Sequence, residues 1–345
     1  MGVSGTYDRG RELFVEDPIR AVIIVVAVVL VLDGVRQLAV GATQFSELGV
    51  MLKDGLMRGL FFGLAGIGLS MTYSILNFAN FSHGDLITGG AFGGMIATYV
   101  IAGGFGSEGD IGSLMLLGSG ATAIALALVI DRLVYKPIRD RSGITLLITS
   151  IGVAFTLRYL ILFVFDGSRR GVTQSGAIPT VDIPAIDGTV SLNLHELSLV
   201  VVAVGLMAGL HFLLQRTKLG KAMRAMSDNE DLARITGIPT ERIVTYTWII
   251  GAGLAGVAGY MFVIWNGTLH WFQGWILLLP IFAAVILGGI GSIYGAILGG
   301  LVIGLTMSIS IMWLPSGLTR AAAFFIMIVV LLVRPQGIFA GRATA

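Results

Sequence analysis

The densest group of chemistry-bearing side chains lies in Asn77-Phe-Ala-Asn-Phe-Ser-His-Gly-Asp85, where Asn80, Ser82, His83 and Asp85 sit between two apolar stretches. Ionisable residues at membrane depth are costly and tend to face a cavity or a partner, so these four are candidates for a solute path. A second reading is equally open. His83 and Asp85 would cap the next helix at the membrane interface, with Asp85 in its first turn, where the helix dipole favours negative charge. His195, His211 and His270 are far apart in sequence and lack metal-ligand spacing, so they read as interfacial residues rather than a metal site. No Gly-x-x-x-x-Gly-Lys-Ser/Thr loop, Gly-x-Ser-x-Gly elbow or His-Glu-x-x-His pair occurs. The chain is therefore expected to be no enzyme, to hydrolyse no ATP and to use no cofactor or metal. Active transport would draw on an ion gradient or on another polypeptide.

The elements that position such residues must be membrane helices. Hydrophobic residues make up 55% of the 345 and charged ones 12%, against about 25% charged in an ordinary soluble domain. With a mean hydropathy of +0.90, this describes an all-α polytopic membrane protein with about eight to ten segments. A net charge of +2 is too small to suggest nucleic acid as a partner, and without cysteine there is no disulfide framework. The 49 glycines suit close helix approach in lipid. Residues 1–50 read as an N-terminal extension: 21–32 is apolar but short, and extension to residue 42 makes it an extra transmembrane helix. No cleavage site follows it, so a removed signal peptide is not expected. Within 51–341, further spans are expected at 55–76, 84–102, 113–134, 144–165, 197–214, 243–265, 275–288, 295–313 and 318–333.

Charge supplies the orientation. Arg132, Lys136, Arg139 and Arg141 place the loop after the fourth segment in the cytoplasm, and the basic residues of 216–242 do the same two spans later. Carrying the alternation outward puts both termini inside, with Arg9, Arg11 and Arg20 at one end and Arg334 and Arg342 at the other. The outer loops 103–112 and 266–274 contain no Lys or Arg, whereas the long outer segment 166–196 carries Arg169 and Arg170. Trp265, Trp271 and Trp275 fit an aromatic belt.

The longest charged segment, 216–242, contains Ser227-Asp228-Asn229-Glu230, which has the form of a capping box. It predicts a helix over 228–236, stopped by Gly237 and Pro239. Leu232 and Ile235 would share one face, with Asp231 and Arg234 on others. So short a helix needs a partner surface. Two Gly-rich breaks, the Asn77–Asp85 motif and Leu287-Gly-Gly-Ile-Gly-Ser-Ile-Tyr-Gly295, suggest interrupted helices at corresponding places in a duplicated transporter. Gly288 and Gly289 lie in the second break, and Gly291, Gly295 and Gly299 form a stripe at every fourth residue. Ala252 with Gly256, and Ala255 with Gly259, repeat that spacing.

Taken together, these motifs resemble the permease subunits of branched-chain amino-acid ABC importers of the leucine/isoleucine/valine type. Met71-Thr-Tyr-Ser-Ile-Leu-Asn-Phe-Ala-Asn-Phe-Ser-His-Gly-Asp85 is similar to the family's segment ending Asn-Phe-Ala-His-Gly-Glu, with Ser82 in place of Ala and Asp85 in place of Glu. Tyr135-Lys-Pro-Ile-Arg139, Leu219-Gly-Lys-Ala-Met-Arg-Ala, Ala284-Val-Ile-Leu-Gly-Gly-Ile-Gly-Ser-Ile-Tyr-Gly-Ala296 and Arg334-Pro-Gln-Gly-Ile-Phe339 follow in the family's order. The resemblance implies a permease of a prokaryotic inner membrane. Its partners would be a second homologous permease subunit, two cytoplasmic ABC ATPase subunits and an external solute-binding protein. It also implies that Ser227, Asp228, Glu230, Asp231, Leu232, Arg234, Ile235 and Gly237 form the ATPase coupling segment. Related permeases serve urea and short amides as well. An ion-coupled secondary transporter or channel acting alone is the rival from another class, with Asp33 and Asp85 as its intramembrane acids.

Overall fold

Where no water can supply hydrogen-bond partners, a backbone must satisfy itself, so long apolar segments fold as helices. The computed structural model describes residues 18–102, 111–171 and 180–339, and every expected apolar segment is helical there. In chain order these are α1 (Pro18–Val40), α2 (Phe45–Leu76), α3 (His83–Ala102) and α4 (Ile111–Ile130). Helix α4 continues into a π turn (Asp131–Tyr135) and one last helical turn (Lys136–Ile138), and α5 (Gly143–Phe165) follows. A short strand β1 (Arg170–Gly171) and a hairpin of β2 (Thr180–Ala185) and β3 (Gly188–Asn193) lead to α6 (Leu194–Arg216). The charged segment forms α7 (Lys218–Asp228) and α8 (Glu230–Ile235). Then come α9 (Thr240–Asn266), β4 (Thr268–Leu269), α10 (Gln273–Gly288), α11 (Ile293–Ile309) and α12 (Thr319–Val333). Arg9 and Arg11 of the N-terminal extension, residues 103–110 of an expected outer loop and Arg342 lie outside the described residues.

Seven of the described helices are long and apolar enough to cross a membrane. The chain is an all-α multi-pass membrane protein. Helices α2 and α9 form its centre, with 78% and 72% of their most apolar stretches buried, whereas α5 and α6 bury only 28% and 22% and leave most of theirs exposed. Small residues let the central helices touch. A Cβ at Gly304 of α11 would lie 2.4 Å from Gly59 N of α2, and one at Gly300 would lie 2.5 Å from Gly63 N. Gly256 and Gly259 of α9 likewise meet the backbone oxygens of Ser119 and Ile87 at 2.3 and 2.4 Å.

Two helices begin within the bundle, well short of the ends of the helices beside them. His83 Nε2 lies 2.9 Å from Ala65 O, and Ala65 precedes the end of α2 by eleven residues, about 16 Å of helical rise. Helix α10 has 16 residues, about 24 Å, against a hydrocarbon core of about 30 Å. The starts of α3 and α10 lie side by side: Gly274 N donates to Thr88 Oγ1 at 2.9 Å, and a Cβ at Gly274 would sit 1.7 Å from Gly84 O.

This pairing exposes an inverted repeat of α2–α3–α4 and α9–α10–α11. Asn77 and Gly267 both turn left-handed (φ 54° and 69°) at the ends of α2 and α9. Six residues later α3 and α10 begin. Gly63-Leu-Ala-Gly66 recurs as Gly253-Leu-Ala-Gly256, and each of these correspondences is offset by 190 residues. Helix α2 packs on α11 as α9 packs on α4. The two units run in opposite senses, since α2 and α9 are antiparallel: Phe61 meets Trp265, and seven residues further along α2 Gly68 faces Gly251, fourteen residues earlier in α9. The counterpart of the first break is therefore 267–272, not the expected Leu287–Gly295 motif. That motif is a turn between the paired helices α10 and α11, with Gly289 and Gly291 at φ 105° and 89°. Gly288, Gly295 and Gly299 pack these two helices together, with a Cβ at Gly288 only 1.9 Å from Gly295 O and one at Gly299 2.0 Å from Ala284 O. Gly291 sits in the turn and leaves the stripe. Ile338 N and Phe339 N close the end of α10 by donating to Leu287 O and Gly288 O at 2.9 and 3.1 Å, satisfying carbonyls that a helix terminus leaves open.

Candidate solute path and coupling segment

Asn77 reverses the chain at the end of α2, and residues 78–82 run back into the bundle. Asn80, Ser82, His83 and Asp85 are all buried there. Asn80 Oδ1 accepts from Ser82 N at 3.0 Å, from Ser82 Oγ at 2.7 Å and from Tyr135 OH at 3.2 Å, and Ser82 Oγ lies 3.0 Å from the same phenol oxygen. The His83 ring reaches Ala65 O on α2. Asp85, in the first turn of α3, accepts a bidentate fork from Arg158 of α5, with Nε to Oδ1 at 3.0 Å and Nη2 to Oδ2 at 2.9 Å. Both side chains are shut away, 0% and 3% exposed. The guanidinium also lies 4.3 Å from the Trp275 ring centroid and 5.3 Å from those of Phe155 and Phe272, so charge-assisted and cation–π contacts hold it on two sides. The four expected residues thus divide: Asn80 and Ser82 meet at Tyr135, His83 turns to α2, and Asp85 turns to α5. Among the described residues nothing pairs with Asn80 Nδ2 or Gln273 Nε2. These two buried donors lie at the starts of α3 and α10, and Gln273 is the repeat counterpart of His83.

The charged segment 216–242 is built differently from its expected capping box. Helix α7 buries Gly220, Met223 and Met226, and that apolar face carries it through Ser227 and Asp228. Asn229, in extended conformation, makes the break and caps α8, its Oδ1 accepting from Leu232 N at 2.8 Å. Ser227 is therefore not the cap. Glu230 accepts from Arg234 at 2.9 Å instead of reaching back, and α8 spans Glu230–Ile235 rather than 228–236. The stop is as expected: Gly237 takes φ 85°, Gly237 N donates to Arg234 O, and Ile238 N donates to Ala233 O, which is a Schellman closure. Ala233 anchors α8 inward, while Leu232 and Ile235 stand 55% and 81% exposed; Asp231 and Arg234 are also exposed. At the root of α7 a cavity of about 80 Å³ is lined by Met71, Ser74, Leu214, Arg224, Asp228 and Ile293.

Comparison with known proteins places this architecture. The family described as "Branched-chain amino acid transport system / permease component" matches residues 51–333. This chain belongs to that permease family. The permease is 32% identical over 299 residues to the high-affinity branched-chain amino acid transport system permease protein BraD of Pseudomonas aeruginosa, covering 83% of this chain and 94% of BraD. It is 29% identical over 305 residues to the corresponding protein LivH of Escherichia coli, covering 86% and 96%. A solved structure, PsaBC from Streptococcus pneumoniae in complex with Fab, overlays with a TM-score of 0.46 at 17% identity, covering 88% of this chain and 97% of that one.

Sequence reasoning missed Arg158, although a lone arginine inside the apolar run of α5 was signal enough to demand a partner. It also missed what Tyr135 and its neighbours do in the permease. Asp131 Oδ1 accepts from Trp248 Nε1 and from Arg139 Nη2, each at 2.8 Å, and Tyr135 stacks on Trp248 with centroids 5.3 Å apart and planes 7° apart. Trp275, expected in an interfacial belt, covers the buried ion pair.

Proposed function

We propose that the permease is the membrane subunit of an importer for branched-chain amino acids and moves its solute by alternating access. The family match across 51–333 carries this reading. Two cytoplasmic ATPases would supply the energy, a second homologous permease would complete the pore, and an external binding protein would deliver the solute. The exposed Leu232 and Ile235 face of α8 supports an ATPase groove as the docking site, with Ser227, Asp228, Glu230, Asp231, Arg234 and Gly237 shaping that segment. Its surrounding basic residues support a cytoplasmic position, which puts both termini inside. The extension 1–50 would join the permease domain of 51–341 inside α2, which runs unbroken from Phe45; Asp33 Oδ2 accepts from Trp313 Nε1 at 2.9 Å, which docks α1 on that domain. Asn80, Ser82, His83 and Asp85 border the solute path.

Co-purification tests this reading. An ATPase retained by the wild type and lost from Leu232→Asp or Ile235→Asp supports it, whereas solute uptake by the chain alone in liposomes would sink it.

A further inference from the structure

We infer that the π turn at the end of α4 is a mechanical relay connecting the coupling segment to the buried segment 77–82; this rests on the ATPase-driven reading above. The relay starts where α8 hands over to α9. Glu241, in the first turn of α9, binds Arg139 Nη1 at 2.8 Å and Lys136 Nζ at 3.0 Å. Arg139 passes the contact inward to Asp131 through Nη2, and Asp131 holds the indole of Trp248. Trp248 is stacked on Tyr135, whose hydroxyl reaches Asn80 and Ser82. Phe78 packs on the other side of the same phenol, 5.3 Å between centroids. Three chain segments far apart in sequence thus form one chain of polar and aromatic contacts, from the exposed base of α8 to the residues that set the start of α3.

The geometry suits transmission of displacement. Asp131, Tyr135 and Trp248 are buried, and close-packed interiors pass on movement rather than absorb it. The π turn, in which Lys136 N donates to Asp131 O, is one residue wider than an α turn, an insertion of the kind that occurs mostly at functional sites in helices. Ala233 ties α8 to the core, and only four residues, Thr236 to Pro239, lie between α8 and α9, the first two of them held in the Schellman closure. A push on α8 therefore reaches Glu241 before any flexible link can take it up. The last step is one hydroxyl. Tyr135→Phe keeps both aromatic contacts and removes the tie to Asn80 and Ser82.

The assembled importer, with its ATPases and binding protein in proteoliposomes, tests the relay by solute moved per ATP hydrolysed. Tyr135→Phe and Glu241→Gln should each assemble with the ATPases and hydrolyse ATP, while solute per ATP falls about tenfold in Tyr135→Phe, the scale of one buried hydrogen bond lost from the working cycle, and about two- to fivefold in Glu241→Gln, the scale of an exposed ion pair. Because both act on one line, the double variant should be no worse than the more damaged single. Thermal unfolding of each variant checks that the bundle is intact, and Glu241→Gln, altering an exposed group, keeps the test open if Tyr135→Phe is unstable. Normal solute per ATP in either folded single, or losses that multiply in the double, overturns the relay. Failure of the wild type to retain an ATPase overturns the importer reading itself, a separate outcome.

Discussion

Removing one partner of the Asp85–Arg158 pair should destabilise the permease strongly, and removing both should not. The pair is bidentate at 3.0 and 2.9 Å and almost fully enclosed. Stripping one side leaves an uncompensated buried charge, which costs about 3–5 kcal/mol. The two sides are unequal. After Asp85→Ala the guanidinium still faces Trp275, Phe155 and Phe272, contacts that offset roughly 1–2 kcal/mol of the loss. After Arg158→Met the carboxylate faces the same apolar walls with no cation. Arg158→Met should therefore fall at the upper end of that range and Asp85→Ala at the lower. The double variant Asp85→Leu with Arg158→Met replaces two charges by packed hydrocarbon and should return to within about 1 kcal/mol of wild type. Unfolding of the purified permease in mixed micelles, followed by circular dichroism, measures all three. A double variant whose loss equals the sum of the singles would refute the reasoning, because the cost would then come from packing and not from unpaired charge. Uptake by the same double variant tests the path: restored stability with lost transport assigns Asp85 to the solute path, and recovery of both confines it to structure.

Gly274→Ala should cost at least about 1–3 kcal/mol, since its Cβ would lie 1.7 Å from Gly84 O and must force the starts of α3 and α10 apart. Gly209→Ala, in α6 where a Cβ meets nothing within 4 Å, should gain up to about 1 kcal/mol; the same unfolding assay compares them, and equal effects would remove the close-approach argument. Asp187, in the turn of the β2–β3 hairpin, accepts from Phe45 N and Ser46 N at the start of α2. Desolvation pushes its carboxyl up, but these backbone bonds outweigh that and hold it below the ordinary 3.8. A lowered value stabilises the folded state above the ordinary carboxylate range, and the contribution is lost as pH falls through the folded-state value. Hydrogen exchange at Ser46 should accordingly quicken, relative to its intrinsic rate, in Asp187→Ala at neutral pH, and the wild type should approach the variant only below the ordinary value. Identical protection at neutral pH would show that the carboxylate is not the clasp.

The amino-acid sequence by itself determined the helices, because hydrocarbon excludes water and leaves an apolar run of this length one way to satisfy its backbone. The permease motifs were legible for a related reason, being local strings such as Arg334-Pro-Gln-Gly-Ile-Phe339. The stop at Gly237 was local too, since a left-handed closure needs a residue without a Cβ. The cap at the other end of α8 was not, because Ser227 and Asn229 are both competent caps and the buried face of α7 decides between them. Repetition was only half visible: Gly63-Leu-Ala-Gly66 and its copy 190 residues on are too short to set a register until Gly84 and Gly274 are seen in contact. Which charges cancel was a matter for tertiary structure alone. Asp85 and Arg158 are 73 residues apart, and Ser82 and Tyr135 are 53 apart. Periodicity can place each on a helix, but only the packing of α3, α4 and α5 brings a buried acid to its base and a serine to its phenol.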